Sequence, residues 1–235
     1  ENLPSGQAGK FSKYMLYAIG EIILVIIGIL IALSINNWNE KQKLKEVQQN
    51  LLKDLQVEVT NNIEDLEKVI ASHKNSLVAA QKMDSLFNDR ETFNKMSDSL
   101  FNQLYRGMNS NATYQPNNGI LNSIISSGQI KDISNKELKY LLASIKEKTT
   151  DAFEITMTIE GWRPELLSAF YKQSFDVVDG EIIGFNTKKI YDSSDFRLYN
   201  SFLFVRLRIE GLGEENELKK TMENILEQIT SEIKK

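Results

Sequence analysis

Residues Tyr14–Ile35 read YMLYAIGEIILVIIGILIALSI, an apolar run of 22 residues that carries one charge, Glu21. At roughly 1.5 Å of rise per residue, a helix of this length crosses a hydrocarbon core of about 30 Å, so the run predicts a transmembrane helix. Its eight isoleucines, four leucines and one valine favour insertion by about 0.3–0.6 kcal/mol each, against about 3 kcal/mol at most for one acidic residue near the centre. The apolar side wins. A cleaved signal peptide would have a shorter core of about 7–15 residues and a small-residue cleavage site. Here the run leads straight into Asn36-Asn37-Trp38-Asn39 and a charged helix. It reads as a retained signal-anchor, with Tyr14 and Tyr17 at one end and Trp38 at the other, where interfacial aromatic belts sit.

The span has two distinct faces. Ile22, Ile26, Ile29 and Leu33 form one; Glu21, Val25, Gly28 and Ala32 form a neighbour about 100° away. Gly28 and Ala32 make a small-xxx-small pair, the spacing that lets membrane helices approach closely, and Glu21 lies two turns away on the same side. Tyr17, Glu21, Val25, Gly28 and Ala32 are therefore the candidate membrane-interface and self-association residues. For Glu21 itself three readings stay open: a structural role within a helix cluster or toward the interface, a role in specifying self-association, and ion or proton handling.

Orientation is not readable from flanking lysines alone, since Lys10 and Lys13 precede the span and Lys41, Lys43 and Lys45 follow it. The chain begins at Glu1 rather than Met, and basic residues upstream would tip the balance toward a cytoplasmic N-terminus. About 200 residues follow the span, enough for a domain with its own core. The net charge of −4, with Lys and Glu alternating along helices, gives no basic stripe and argues against nucleic acid. The absence of cysteine excludes disulfides, thiol catalysis and thiolate metal sites. No nucleophile–base pair, metal constellation or phosphate-binding glycine loop is visible, so no enzyme, cofactor, metal or small-molecule substrate is expected. His73, the single histidine, has no second ligand at i+4 and reads as a packed core residue rather than a metal ligand or pH sensor.

Beyond the span the signal is again helical. Leu44, Val47, Leu51, Leu55, Val59, Ile63, Leu66, Ile70, His73 and Leu77 follow at steps of three or four, and Leu33, Leu44, Leu55, Leu66 and Leu77 lie eleven apart. An eleven-residue repeat predicts a straight or slightly right-handed pairing rather than a heptad coil. Phe93, Met96, Leu100, Phe101 and Leu104 form an amphipathic set ending at Gly107, and a polar loop follows. A short helix runs from about Asn117 to Gly128. Ser134-Asn135-Lys136-Glu137 reads as a capping box opening a helix that Gly161 ends, with Pro164 at the first position of the next. Val177–Ile183, centred on Asp179-Gly180, is the one hairpin signal. A final helix pair, about Asp195–Ile209 and Glu214–Lys235, is interrupted at Gly211-Leu212-Gly213.

The expected fold is all-α: one N-terminal transmembrane helix continuing into a long stalk helix, then a soluble helical bundle with at most one short β-hairpin. The parts are a flank over 1–13, the span over 14–35, the stalk over 36–90 and the bundle over 91–235.

Tyr17-Ala18-Ile19-Gly20-Glu21-Ile22, Leu24-Val25, Gly28-Ile29-Leu30-Ile31-Ala32-Leu33 and Ile35-Asn36-Asn37-Trp38-Asn39-Glu40 resemble the signature of an uncharacterised family of bacterial single-pass membrane proteins. Ser126-Ser127-Gly128 and Ile133-Ser134-Asn135 with Leu138 resemble that family's soluble region more weakly. Members typically carry a short basic arm before the span. The resemblance thus implies a cytoplasmic N-terminus and a domain in the periplasm, anchored in the inner membrane of a two-membrane bacterium; it implies no activity. The expected role is a membrane-anchored interaction or scaffold module whose partners are lipid and either copies of itself or other envelope proteins. The alternative is a subunit of an ion-driven envelope complex using Glu21, because one span with one carboxylate before a periplasmic domain is the layout of energy-transducing stator subunits.

Overall fold

The computed structural model describes residues 8–185 and 187–233; for residues 8–12, 166–167, 169–177, 182–185 and 187–188 it describes the backbone alone. The chain divides into two compact units between Leu51 and Leu52, and one helix, α1 (Ala8–Phe87), runs through the division. In the first unit, every side chain from Lys13 to Val47 is exposed apart from a partly covered Gly20. One helix among the described residues is long and apolar enough to cross a membrane, and none of its apolar window is buried by the chain's own fold.

The second unit is a helical bundle. α1 is followed by α2 (Arg90–Lys95), α3 (Asp98–Met108), α4 (Gly119–Ser126), a 3-10 turn (Gln129–Asp132), α5 (Lys136–Ala152) and α6 (Glu154–Ser174). A hairpin of β1 (Phe175–Val178) and β2 (Glu181–Phe185), α7 (Thr187–Asp192), α8 (Ser194–Tyr199), a π segment (Asn200–Leu207) and α9 (Arg208–Ile233) complete it. The expected all-α architecture with a single hairpin is present. The turn of that hairpin places Asp179 at φ 54° and Gly180 at φ 83°, the pair of positive values that a type I′ turn demands and that Asp-Gly tolerates.

In the bundle, the buried face of α1 repeats every seven residues. Leu52, Val59, Leu66, His73, Ala80 and Phe87 form one buried series, and Leu55, Asn62, Val69, Ser76 and Met83 the other. The eleven-residue repeat is therefore not the frame of the core: Leu55 and Leu66 are fully buried, but Leu77 is half-buried and Leu44 exposed. Asn62 and Ser76 occupy core positions that a trace of apolar side chains skips, and the trace then slides onto the flank at Leu77.

The C-terminal helix runs antiparallel to this face. Gln56 Nε2 donates to Thr230 Oγ1 (2.8 Å), Lys219 pairs with Glu67 (2.6 Å) and Asn200 Nδ2 donates to the Ala80 carbonyl (3.0 Å). α8, the π segment and α9 are continuous, so the expected break at Gly211-Leu212-Gly213 does not occur. Gly211 serves close packing instead, because a Cβ there would lie 3.2 Å from Ile155 Cγ2. Arg208, Glu215, Met222 and Ile229 are buried at seven-residue intervals, whereas Asn200 is buried one position out of that frame. The wider turns of the π segment, with i→i+5 bonding, supply the offset.

Two other boundaries differ from expectation. α5 is capped by Asn135, whose side chain accepts from the Leu138 amide (3.1 Å), and not by Ser134. α6 runs through Gly161 and contains Pro164. Tertiary bonds hold that turn: the Glu160 carboxylate pairs with Arg163 (3.1 Å) and accepts from Asn111 Nδ2 (2.9 Å), while Arg163 also donates to the Asn109 carbonyl. The chain changes helix earlier, at Phe153. At the other end of the bundle an aromatic cluster closes the core, with Phe87 and Phe196 edge to face at 5.7 Å and Phe93 tilted against Phe87 at 5.5 Å.

Leu55→Ala and Leu66→Ala are each expected to cost about 2–5 kcal/mol, from lost transfer energy plus the residual cavity. Leu44→Ala should leave chemical-denaturation midpoints unchanged; equal effects at Leu44 and Leu55 would reinstate the eleven-residue frame.

Candidate functional site

Tyr17, Glu21, Val25, Gly28 and Ala32 lie on successive turns of α1 and all are exposed; Tyr17 is 79% and Val25 58% accessible. A Cβ built on Gly28 would meet nothing within 4 Å, so nothing among the described residues fills the shallow strip that Gly28 and Ala32 make. Since a helix satisfies its own backbone, Glu21 is the one charged group of the run.

The second unit holds a polar site that the sequence did not reveal as a whole. Between α3 and α4 the chain carries neither helix nor strand over Asn109–Asn118, with Ala112, Tyr114, Pro116 and Asn118 partly covered and Thr113, Gln115 and Asn117 exposed in alternation. This strap lies outside the two-stranded sheet of the described residues, so those of its backbone groups that are covered need side-chain partners. α1 supplies them. Asn62 bonds both groups of Asn117, accepting from its amide (2.8 Å) and donating to its carbonyl (2.8 Å), much as a neighbouring strand would. Ser76 donates to the Met108 carbonyl (2.8 Å), and His73 Nε2 lies 2.9 Å from the Ala112 carbonyl. Beyond the strap, Glu58 accepts from the amides of Ile120 (2.7 Å) and Leu121 (3.0 Å) at the start of α4, where Asn118 makes no side-chain cap. A carboxylate there also answers the positive end of the helix dipole.

From the opposite side, α6 and α9 present charge. Arg208, 1% exposed, donates to Asn111 Oδ1 (2.6 Å) and to Thr156 Oγ1 (3.4 Å), and Thr156 donates to Glu215 Oε1 (3.1 Å). Burial pushes the Arg208 guanidinium down to about 10, with Glu215 opposing that shift and Arg163 adding to it; it is charged at neutral pH. Glu215, fully buried, meets His73 Nδ1 at 2.8 and 3.0 Å. Tyr114 donates to the Asn62 carbonyl (3.1 Å) and stacks on Phe153 at 5.3 Å; burial raises its phenol above the ordinary range. The adjoining cavity, lined by Glu58, Asn62, Tyr114 and Thr149 among others, measures about 20 Å³, room for about one water.

The expected core position of His73 is observed. Sequence reasoning missed Glu58, Asn62, Ser76, Arg208 and Glu215 as a set, because their partners are backbone groups or side chains far along the chain. The available signal was local: Asn62 and Ser76 interrupt an otherwise apolar seven-residue series. No group of three or more acidic or histidine side chains that could hold a metal ion occurs among the described residues.

The model of a family of unknown function (DUF6090) matches residues 21–208, most of the chain and nearly all of the strap's surroundings. No curated protein and no solved structure matches.

Asn62→Leu should destabilise the bundle by about 1–3 kcal/mol despite its added apolar surface, because the two bonds to the Asn117 amide and carbonyl, at about 0.5–1.5 kcal/mol each, are lost. A stability gain in urea titration would show that water replaces Asn62 freely. For Tyr114 the folded pKa lies above the unfolded value, so its contribution is full below about pH 10 and is lost as pH rises beyond it. Tyr114→Phe should flatten the fall of stability above that pH, which equilibrium unfolding at graded pH would detect.

Proposed function

The chain belongs to the DUF6090 family of unknown function, and from that premise we propose a membrane-anchored helical interaction or scaffold protein of the bacterial inner membrane. Its N-terminus is cytoplasmic, residues after Trp38 are periplasmic, and the anchor self-associates through Tyr17, Glu21, Val25, Gly28 and Ala32. The observation that carries this reading is the wholly uncovered apolar run: lipid or other helices must cover what the chain's own fold leaves bare. Small residues at 28 and 32 permit close backbone approach, and a carboxylate in lipid is least costly where it finds a hydrogen-bond partner. The buried polar groups of the bundle support the same reading, since they are engaged by the protein's own strap rather than gathered in an open cleft.

A second reading, a subunit of an ion-driven envelope complex, draws on one feature: Glu21 is exposed and is the single charge of the run. Its chemistry would use the same face, so substitution separates the two.

Membrane cross-linking should show Gly28→Ile weakening assembly by steric separation and Glu21→Gln preserving most of it. Assembly of Gly28→Ile at the parent level would remove this face as the interface. Normal assembly of Glu21→Gln together with a lost, proton-motive-force-dependent phenotype would favour the ion-driven complex. For orientation, a reporter that works only outside the cytoplasm, fused after Lys235, should be active; silence there with an active cytoplasmic reporter would invert the topology.

A further inference from the structure

His73 is fully buried and both of its ring nitrogens face oxygen. Nε2 lies 2.9 Å from the Ala112 carbonyl, and Nδ1 lies 2.8 and 3.0 Å from the two carboxylate oxygens of Glu215. A carbonyl only accepts, so Nε2 carries a proton. An ionised carboxylate only accepts, so Nδ1 carries one too; if Glu215 holds the shared proton instead, the count for the pair is the same. Hydrogen bonding therefore calls for two protons on the His73–Glu215 pair.

Charge balance pulls the other way. Facing the ring from α9 are Glu215 directly and Arg208 through Thr156. From α6, Glu160 and Arg163 reach the strap through Asn111 and Asn109 and pair with each other at 3.1 Å. From the strap comes only the neutral Ala112 carbonyl, because Tyr114 turns away to Asn62. Arg208 already balances Glu215, so the second ring proton is a surplus positive charge among side chains 0 to 1% exposed, and an unbalanced buried charge is costly. Two strong and opposed demands on one proton make the ring responsive to pH.

We propose that His73 is a proton-responsive latch on the strap at Ala112: the doubly protonated ring holds the Ala112 carbonyl against α1, and loss of one proton frees that point while Asn62, Arg208 and Arg163 keep their hold on Asn117, Asn111 and Asn109. When the ring is neutral its remaining proton stays on Nδ1, where the bond to a carboxylate is charge-assisted and stronger. The bare Nε2 then directs a lone pair at the Ala112 carbonyl oxygen across 2.9 Å. That contact is repulsive, and the strap around Ala112 moves off. The device is independent of what the anchor does, since every group in it lies in the second unit.

The test uses the full chain in lipid nanodiscs, 15N-labelled at histidine. With one histidine in the sequence, the spectrum reports one ring. On the acid side both ring nitrogens should carry bonded protons, and as pH is raised Nε2 should lose its proton before Nδ1 does. Over the same interval the 13C resonance of the Ala112 carbonyl, labelled together with the histidine, should shift as its bond to a charged donor is lost. Carbonyl resonances in α9 should not change. Loss of the Nδ1 proton first, titration of the ring without a shift at Ala112, or a ring that keeps both protons until α9 itself opens would each overturn the latch. Arg208→Gln removes the competing cation and should move strap release to higher pH; an unmoved or lower transition would contradict the charge argument, and the parent measurements decide the matter if that variant does not fold.

Discussion

A half-covered segment beside helices, outside both helix and strand, draws the hydrogen bonds of its covered backbone groups from side chains. Residues Asn109–Asn118 place that demand on everything around them. A covered backbone group left without a partner costs up to about 1–3 kcal/mol, more than one made bond contributes, so the demand favours polar neighbours for the covered part of the strap. It explains why α1, whose core line could have been apolar throughout, carries Asn62, His73 and Ser76 at buried positions and Glu58 beside them. Each of these bonds backbone between Met108 and Leu121. The same polar residues give the bundle a register, because a shift of one heptad along α1 would set apolar side chains against unpaired amides and carbonyls.

Holding the strap from the far side has a steeper cost. Arg208 and Glu215 are charged groups taken out of water, and the Arg208 Nε has no partner among the described residues. Such a cluster contributes less to stability than its bonds suggest, because desolvation cancels much of the attraction. What it does provide is specificity. Arg208 reaches Asn111, and Thr156 links Arg208 to Glu215, so α6, α9 and the strap are fixed with respect to one another. The π segment contributes to this fit: by offsetting the buried frame by one position it lets Asn200 face the Ala80 carbonyl while Arg208 and Glu215 stay in line with Met222 and Ile229.

Much of this fold was legible in the sequence because the relevant signals were local. A 22-residue apolar run, helical spacing of leucines and an Asp-Gly between β-branched residues need no knowledge of what they contact. Readings failed where a tertiary contact overrode a local preference. Gly161 and Pro164 look like helix ends until Glu160 and Arg163 are seen tied to Asn111 and Asn109. Gly211 looks like a break until Ile155 is seen occupying the space of its missing Cβ. The core frame was misread for the same reason in reverse: polar side chains are absent from a hydrophobic trace, yet here they sit in the core because an unpaired strap requires them. Spacing alone defines the helix face of Tyr17, Glu21, Val25, Gly28 and Ala32, and a face does not say what covers it.

The anchor and the bundle answer the same rule by different means. In the bundle, irregular backbone creates polar demand and side chains meet it. In the anchor, α1 is helical throughout Tyr14–Ile35 and meets its own backbone demand, so the only charged group in need of a partner there is the Glu21 carboxyl. Gly28 and Ala32, which allow another helix to come near, lie on the Glu21 side, whereas the Ile22, Ile26, Ile29 and Leu33 face offers only branched and bulky surface. Close approach and hydrogen-bonding need therefore coincide on one face. In the membrane setting proposed above, lipid would suit the isoleucine face and meet neither requirement of the other, and that difference is what the proposed contact through the Glu21 side of α1 rests on.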